Sequence, residues 1–336
     1  TLEWTNDASR RAARNSWALS WGWQLADRGK LKEAGAAVDK ADELYVLLMV
    51  AGDRRFSQVW DRFARDRRFD WTALATARLD RATTDLADKP GSLRPASDMI
   101  GALRALGRVD EAIQVGEAFR ARIQDGEAFE DRQSQSDDVL IGLGQALFET
   151  GRYHDAEAVF EEAIALGEPE DSGEVAVDAR MAWAGRLLDL ARPRDALAAL
   201  APISEKQVTP YGRLWVDSQR ACAQADLDPK AAAAAIIGLE TGRKENPAAL
   251  SQALICANRL DEAAALMIER LRDPRHRSGA LDPYWITRGP KTAPAWLTEF
   301  ERRRQRVLNN PAVLAALDVA GRKVEAPLAG DYWGGF

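Results

Sequence analysis

Histidine is almost missing from this sequence of 336 residues, which contains only His154 and His276. Neither has a partner histidine, cysteine or serine elbow to work with, so histidine-based catalysis and metal binding are not expected. Cysteine is as scarce. Cys222 and Cys256 cannot build a disulfide framework or a four-cysteine zinc site. No stretch approaches the roughly 20 apolar residues that a membrane-spanning helix needs. A basic excess is also lacking: 46 Lys and Arg stand against 52 Asp and Glu, a formal charge of −6. A general nucleic-acid surface is therefore excluded as an expectation. The nearest thing to a glycine-rich phosphate loop, Gly142-Leu143-Gly144, has no preceding strand and no third glycine. No cofactor and no metal are expected.

What the chain does contain is helical periodicity. Between Val139 and Ala165 apolar residues fall at Val139, Leu140, Leu143 and Leu147, then at Ala156, Val159, Phe160 and Ala163. These are two amphipathic helices broken at Thr150-Gly151-Arg152, where glycine suits the left-handed residue that ends a helix. The same hairpin recurs. Short pairs follow a turn at Glu33-Ala34, Glu111-Ala112, Asp155-Ala156, Asp195-Ala196, Ala231-Ala232 and Glu262-Ala263. A recurrence of roughly 31–44 residues predicts stacked hairpins, an all-α solenoid without a sheet.

The chain resembles the tetratricopeptide repeat (TPR) proteins. Gly144, Leu147, Gly151, Tyr153, Ala156, Phe160 and Ala163 occupy that family's positions in order. So do Gly22, Leu25, Gly29, Ala34, Val38 and Ala41, and less completely Leu103, Gly107 and Ala112. Leu187, Ala196 and Leu200 fit with Ala191-Arg192-Pro193 making the turn, and Leu254, Asn258, Ala263 and Met267 close the series. Small residues are needed where hairpin helices cross closely. The irregular spacing is similar to that of divergent bacterial TPR proteins, which are often exported. The resemblance implies an α-α superhelix and no built-in reaction.

Residues 1–13 are read as an N-terminal segment, 14–274 as the repeat array, and 44–92 as its degenerate part. Residues 275–295, behind Pro274, carry three more prolines and read as a connector without helix. The stretch 296–336 then supplies capping helices, one starting at Pro311 behind an Asn N-cap, and an aromatic tail. The chain begins at Thr1 without an initiator methionine, which leans towards an exported, periplasmic protein, with the cytoplasm as alternative. Cys222 and Cys256 lie 34 apart on successive first helices, but their repeat positions differ by about three residues. Two buried free thiols are favoured over a bridge.

Tryptophan is unusually abundant near the start. Trp17 and Trp21 share a helix face and are expected in the core, whereas Trp23 either faces the inner wall or packs under the N-terminal segment. In the family the first helix of each repeat lines a concave groove that holds a partner segment. Carried over, this wall comprises Trp23, Arg104, Asp138, Gln145, Glu149, Asp189, Asp217 and Gln252, among others. The basic clamp by which some TPR domains hold acidic tails is absent, so the groove suits a basic or mixed peptide. The leading expectation is a non-enzymatic scaffold for a protein or peptide partner. An accessory subunit of a larger assembly, or a carboxylate-based helical-repeat enzyme, are the alternatives.

Overall fold

The structure, a computed structural model, describes residues 8–167, 176–289 and 293–329. Eighteen α-helices make up most of it. The first nine are α1 (Ala8–Asp27), α2 (Leu31–Ala37), α3 (Leu44–Gly52), α4 (Ser57–Arg65), α5 (Trp71–Asp88), α6 (Arg94–Ala105), α7 (Val109–Gln124), α8 (Arg132–Glu149) and α9 (Tyr153–Leu166). Then follow α10 (Val177–Asp189), α11 (Pro193–Leu200), α12 (Pro210–Leu227), α13 (Pro229–Thr241), α14 (Pro247–Cys256) and α15 (Leu260–Arg272). The last three are α16 (Arg277–Leu281), α17 (Ala295–Leu308) and α18 (Pro311–Ala320). The class is all-α.

The hairpins are set by one local device used five times. A residue with positive φ ends the first helix: Gly29, Gly107, Gly151, Ala191 or Asn258. A basic residue follows, and its side chain reaches the acid three positions on: Lys30 to Glu33, Arg108 to Glu111, Arg152 to Asp155, Arg192 to Asp195, Arg259 to Glu262. The next residue is alanine at 34, 112, 156, 196 and 263, and all five are fully buried. The acid also complements the N-terminal dipole of the second helix. Alanine is demanded there because the two helices touch backbone to side chain. Glycine does the same work on the facing helices. A Cβ on Gly116 would sit 2.9 Å from Leu143, and one on Gly144 would sit 2.9 Å from the Phe160 ring.

The expectation of no sheet fails at the C-terminal end. Strand β1 (Trp285–Arg288) pairs in parallel with β2 (Val324–Ala329), Trp285 opposite Val324 and Ile286 opposite Glu325. The proline-rich connector likewise carries the short helix α16 as well as β1. Its breakers leave two short windows, 277–281 and 285–288, that structure can occupy. In the tail, Val324, Ala326 and Leu328 alternate inward and are buried, and their partners belong to the N-terminal core of α1–α5. The aromatics of the tail at 332, 333 and 336 lie outside the described residues.

The chain thus returns to its beginning. Arg322 donates from its backbone N to the Gly52 carbonyl (2.9 Å) and from Nε to that of Ala51 (2.8 Å). Arg54 donates to the Asp318 carbonyl (2.6 Å), and the Arg322 guanidinium lies 3.8 Å above the Trp60 ring. Gly321 permits this approach, since a Cβ there would collide with the Gly52 carbonyl oxygen. Beneath the junction, buried Arg55 bridges buried Asp53 (2.7 Å) and Asp27 (3.0 Å).

Two further expectations are corrected. Cys222 and Cys256 form a disulfide between α12 and α14, with Cα atoms 5.1 Å apart. Helix α12 runs past Cys222 to Leu227 whereas α14 ends at Cys256. The helices are therefore staggered, and the difference in repeat position is what brings the sulfurs level. Trp17 and Trp21 stack on each other at 6.1 Å but are 62% and 38% exposed. The core face of α1 is instead the one bearing Leu19, Gly22, Leu25 and Ala26, against Phe56 and Val38.

Candidate functional site

The first helices of successive hairpins pack side by side in the order α6, α8, α10, α12, α14 and so form one wall. Its N-terminal edge carries Asp98 on α6, Asp137 and Asp138 on α8, and Asp178 on α10. Asp138 and Asp178 are open to solvent yet hemmed in by protein, and among the described residues neither makes an ion pair. Partial desolvation, followed by the charges of Asp137 and Asp178, raises the Asp138 carboxyl above its ordinary range. Desolvation and then Asp137 raise Asp178 in the same way. A wide cleft of about 1000 Å³ opens beside them, lined by Glu130, Asp137, Asp178, Phe129 and Leu166, with Arg132 and Lys206 as the opposing cations.

The proposed wall residues separate into three groups. Arg104, Gln145 and Glu149 are brought together: Arg104 Nη1 donates to Gln145 Oε1 (2.6 Å), and Nε and Nη2 donate to Glu149 Oε1 (3.1 and 2.5 Å). Their charges are spent on each other at low exposure, 16% and 17% for the ion pair. Asp138 stands apart from them: among the described residues it makes no ion pair, and Arg94 acts on it only at a distance. The remaining residues do not present free polar groups to an open wall. Asp189 is fully buried and pairs with Arg186 at 3.4 Å, which corrects its placement on an accessible surface. It is the last residue of α10, where the wall is already covered. Asp217 lies between Arg213 (3.5 Å) and Arg220 (3.2 Å). Trp23 packs against the N-terminal core, with the Arg55 guanidinium 5.5 Å from its ring. Gln252 keeps a buried Nε2 without a hydrogen-bond partner.

What covers the far end of the wall is the chain itself. Helix α17 packs against α10, α14 and α15. Its Arg303 donates to the Cys256 carbonyl (2.7 Å), its Trp296 Nε1 to Asp226 (3.1 Å), and Phe300 is buried. Pro294–Leu308 was expected to be an end cap. It does adjoin α15, but its apolar face also closes the inner side of the array.

Sequence reasoning missed Asp98 and Asp178, and a second cleft beyond Asp98. Asp178 lies eleven residues, about three helical turns, before Asp189, which the resemblance places on the inner wall, so helical spacing alone could have found it. The second cleft, of about 580 Å³, lies between α1, α3, α5 and α6 and carries Arg11, Arg78, Arg81 and Arg94. It falls in the least regular repeats, where no register existed to carry inward positions across.

Among the described residues no three His, Cys, Asp or Glu side chains are grouped to hold a metal ion. No described helix is long and apolar enough to cross a membrane. No family model matches the chain, and neither a curated protein nor a solved structure matches it.

Proposed function

We propose that the array is a TPR-like superhelix serving as a non-enzymatic scaffold, and that the wall of α6, α8 and α10 binds a protein or peptide segment carrying cationic groups. The observation that carries this reading is the pair Asp138 and Asp178. At the five repeated hairpin turns the acid three positions on is paired with a basic residue, lysine once and arginine four times. Among the described residues Asp138 and Asp178 make no ion pair, and burial together with neighbouring carboxylates raises both above the ordinary range. Charges held at some cost in stability are expected where a ligand supplies the counter-charge.

An acid–base couple would need its two members pushed apart in titration, whereas Asp138 and Asp178 are both pushed up. Recognition is therefore better supported than catalysis. The Cys222–Cys256 bridge favours an exported protein, because disulfides persist in oxidising compartments.

The test is calorimetric titration of a lysine-rich peptide against the wild type and the Asp138→Asn, Asp178→Asn double variant. Binding to the wild type should weaken as salt rises, since attraction between exposed charges is screened over about 10 Å at 0.1 M. The double variant should bind several-fold more weakly at low salt. Equal binding by both proteins would remove the wall from consideration.

A further inference from the structure

The cleft of about 580 Å³ adjoins the acidic wall but is built differently. Arg11 is spent on Asp42, and Arg78 holds Asp98 at 3.0 Å. Arg81 and Arg94 are not spent. Among the described residues neither guanidinium takes part in a hydrogen bond or ion pair, although Asp85 lies one turn along α5 from Arg81. Glu43, also in the cleft, is occupied in accepting from Val46 N at 3.1 Å to cap α3. Burial, and then the neighbouring Arg11 and Arg78, make the charged form of Arg81 less favourable than usual. The guanidinium is therefore a partly desolvated donor whose hydrogen-bonding edge is unused among the described residues. The hydroxyls of Ser16, Tyr45 and Thr84 share the cleft.

We propose that this cleft takes a carboxylate group of the same segment whose cationic part lies on Asp138 and Asp178. This rests on the groove reading above and gives the partner its charge pattern: an acidic end followed by a basic stretch. The continuity is electrostatic as well as spatial. Arg94 and Asp98 line the cleft, and both act on the Asp138 carboxyl across the α6–α8 contact. A guanidinium fork suits a carboxylate because it offers two parallel donors to two oxygens. A segment of one sign would meet a repelling patch at one end, and that excludes wrong partners more strongly than either patch alone.

The experiment uses three blocked peptides of equal length: three glutamates, a neutral spacer and three lysines; the lysines with a neutral replacement for the glutamates; and the glutamates with a neutral replacement for the lysines. Fluorescence anisotropy at low salt reads their affinity for the wild type, Arg81→Gln and Asp178→Asn. The mixed peptide should bind the wild type at least about tenfold more tightly than the lysine peptide. Arg81→Gln should abolish that preference while changing the affinity of the lysine peptide by less than about twofold, and Asp178→Asn should weaken both. If the lysine peptide binds but the mixed one is no better, or Arg81→Gln leaves the preference intact, the inference fails and the groove reading stands. If neither lysine-bearing peptide binds, both fail. Circular dichroism of each variant confirms that a lost preference is not lost folding.

Discussion

Replacing Gly144 with alanine and Gly238 with alanine should move stability in opposite directions, although the chemical change is the same. Both glycines are helical, in α8 and α13, and in either place alanine would gain up to about 1 kcal/mol of helix propensity. At Gly238 the gain is free, because a Cβ there would meet nothing within 4 Å. At Gly144 the new Cβ would lie 2.9, 2.9 and 3.1 Å from three carbons of the Phe160 ring. That ring cannot step aside cheaply. It is fully buried and stacks on Trp183 of α10 at 5.2 Å, so a shift would propagate into the next hairpin. Overpacking of this kind costs roughly 1–3 kcal/mol. After the propensity gain, Gly144→Ala should be destabilising by up to about 2 kcal/mol, against a stabilisation of up to about 1 for Gly238→Ala. Urea unfolding followed by far-ultraviolet circular dichroism reads both as shifts in midpoint. If Gly144→Ala stabilised as much as Gly238→Ala, the close α8–α9 crossing would be refuted, and with it the reason for small residues in the repeat.

Three other outcomes follow from the packing. Replacing Cys222 and Cys256 together by alanine should lower stability by about 3–4 kcal/mol, the loop-entropy value for a bridge spanning 34 residues, and a reductant should reproduce the loss in wild type but not in the variant. Arg55→Met should cost about 3–5 kcal/mol in the same unfolding assay, because it leaves Asp53 (1% exposed) without its counter-charge, and adding Asp53→Asn should recover part of the loss. Asp282, pushed up to about 7 mainly by burial against a weaker opposing pull from Arg270, binds its proton more tightly folded than unfolded. Its contribution to stability is therefore lost as pH rises from about 4 to about 7, so Asp282→Asn should stabilise the protein at pH 8 and do little near pH 4, measured by unfolding at both.

The hairpins were legible in the sequence because the turn that makes them is local. A left-handed residue, an Arg or Lys, an acid three positions on and a buried alanine sit within six residues, and no distant partner is needed to read them. Even so, the basic residue of that turn was overlooked, since only the acid–alanine pair had been aligned. The features that escaped reading depend on how helices are offset. The stagger of α12 against α14 decides whether Cys222 meets Cys256, and nothing local in either helix encodes it. Asp189 has the spacing of an inward residue, but at the end of α10 its carboxylate is buried and paired with Arg186. Strand β2 was unreadable for a similar reason. Its partner β1 lies across two helices in sequence, and its buried face is completed by α3 and α5, near the other end of the chain.

The closure of the chain also bears on where a partner could sit. An open array of hairpins exposes its whole inner wall, and its stability is close to a sum of neighbour terms. Here the C-terminal residues pack back along that wall. Helix α17 packs on α10 and α14 with its Phe300 in the repeat core, while β2 sets Val324, Ala326 and Leu328 against the N-terminal core. The covering faces themselves are largely apolar, and burying them in cis is favourable at roughly 25 cal/mol per Å² without any ligand. The stretch left bare, from Arg81 and Arg94 through Asp98 to Asp138 and Asp178, is the charged one. If the strip binds a partner as proposed above, covering the apolar stretches in cis leaves charge as the main basis of selection there. On the reading proposed above, a partner of this strip is selected by its charge order, with exposed Leu166 and Tyr45 adding apolar contact in the two clefts.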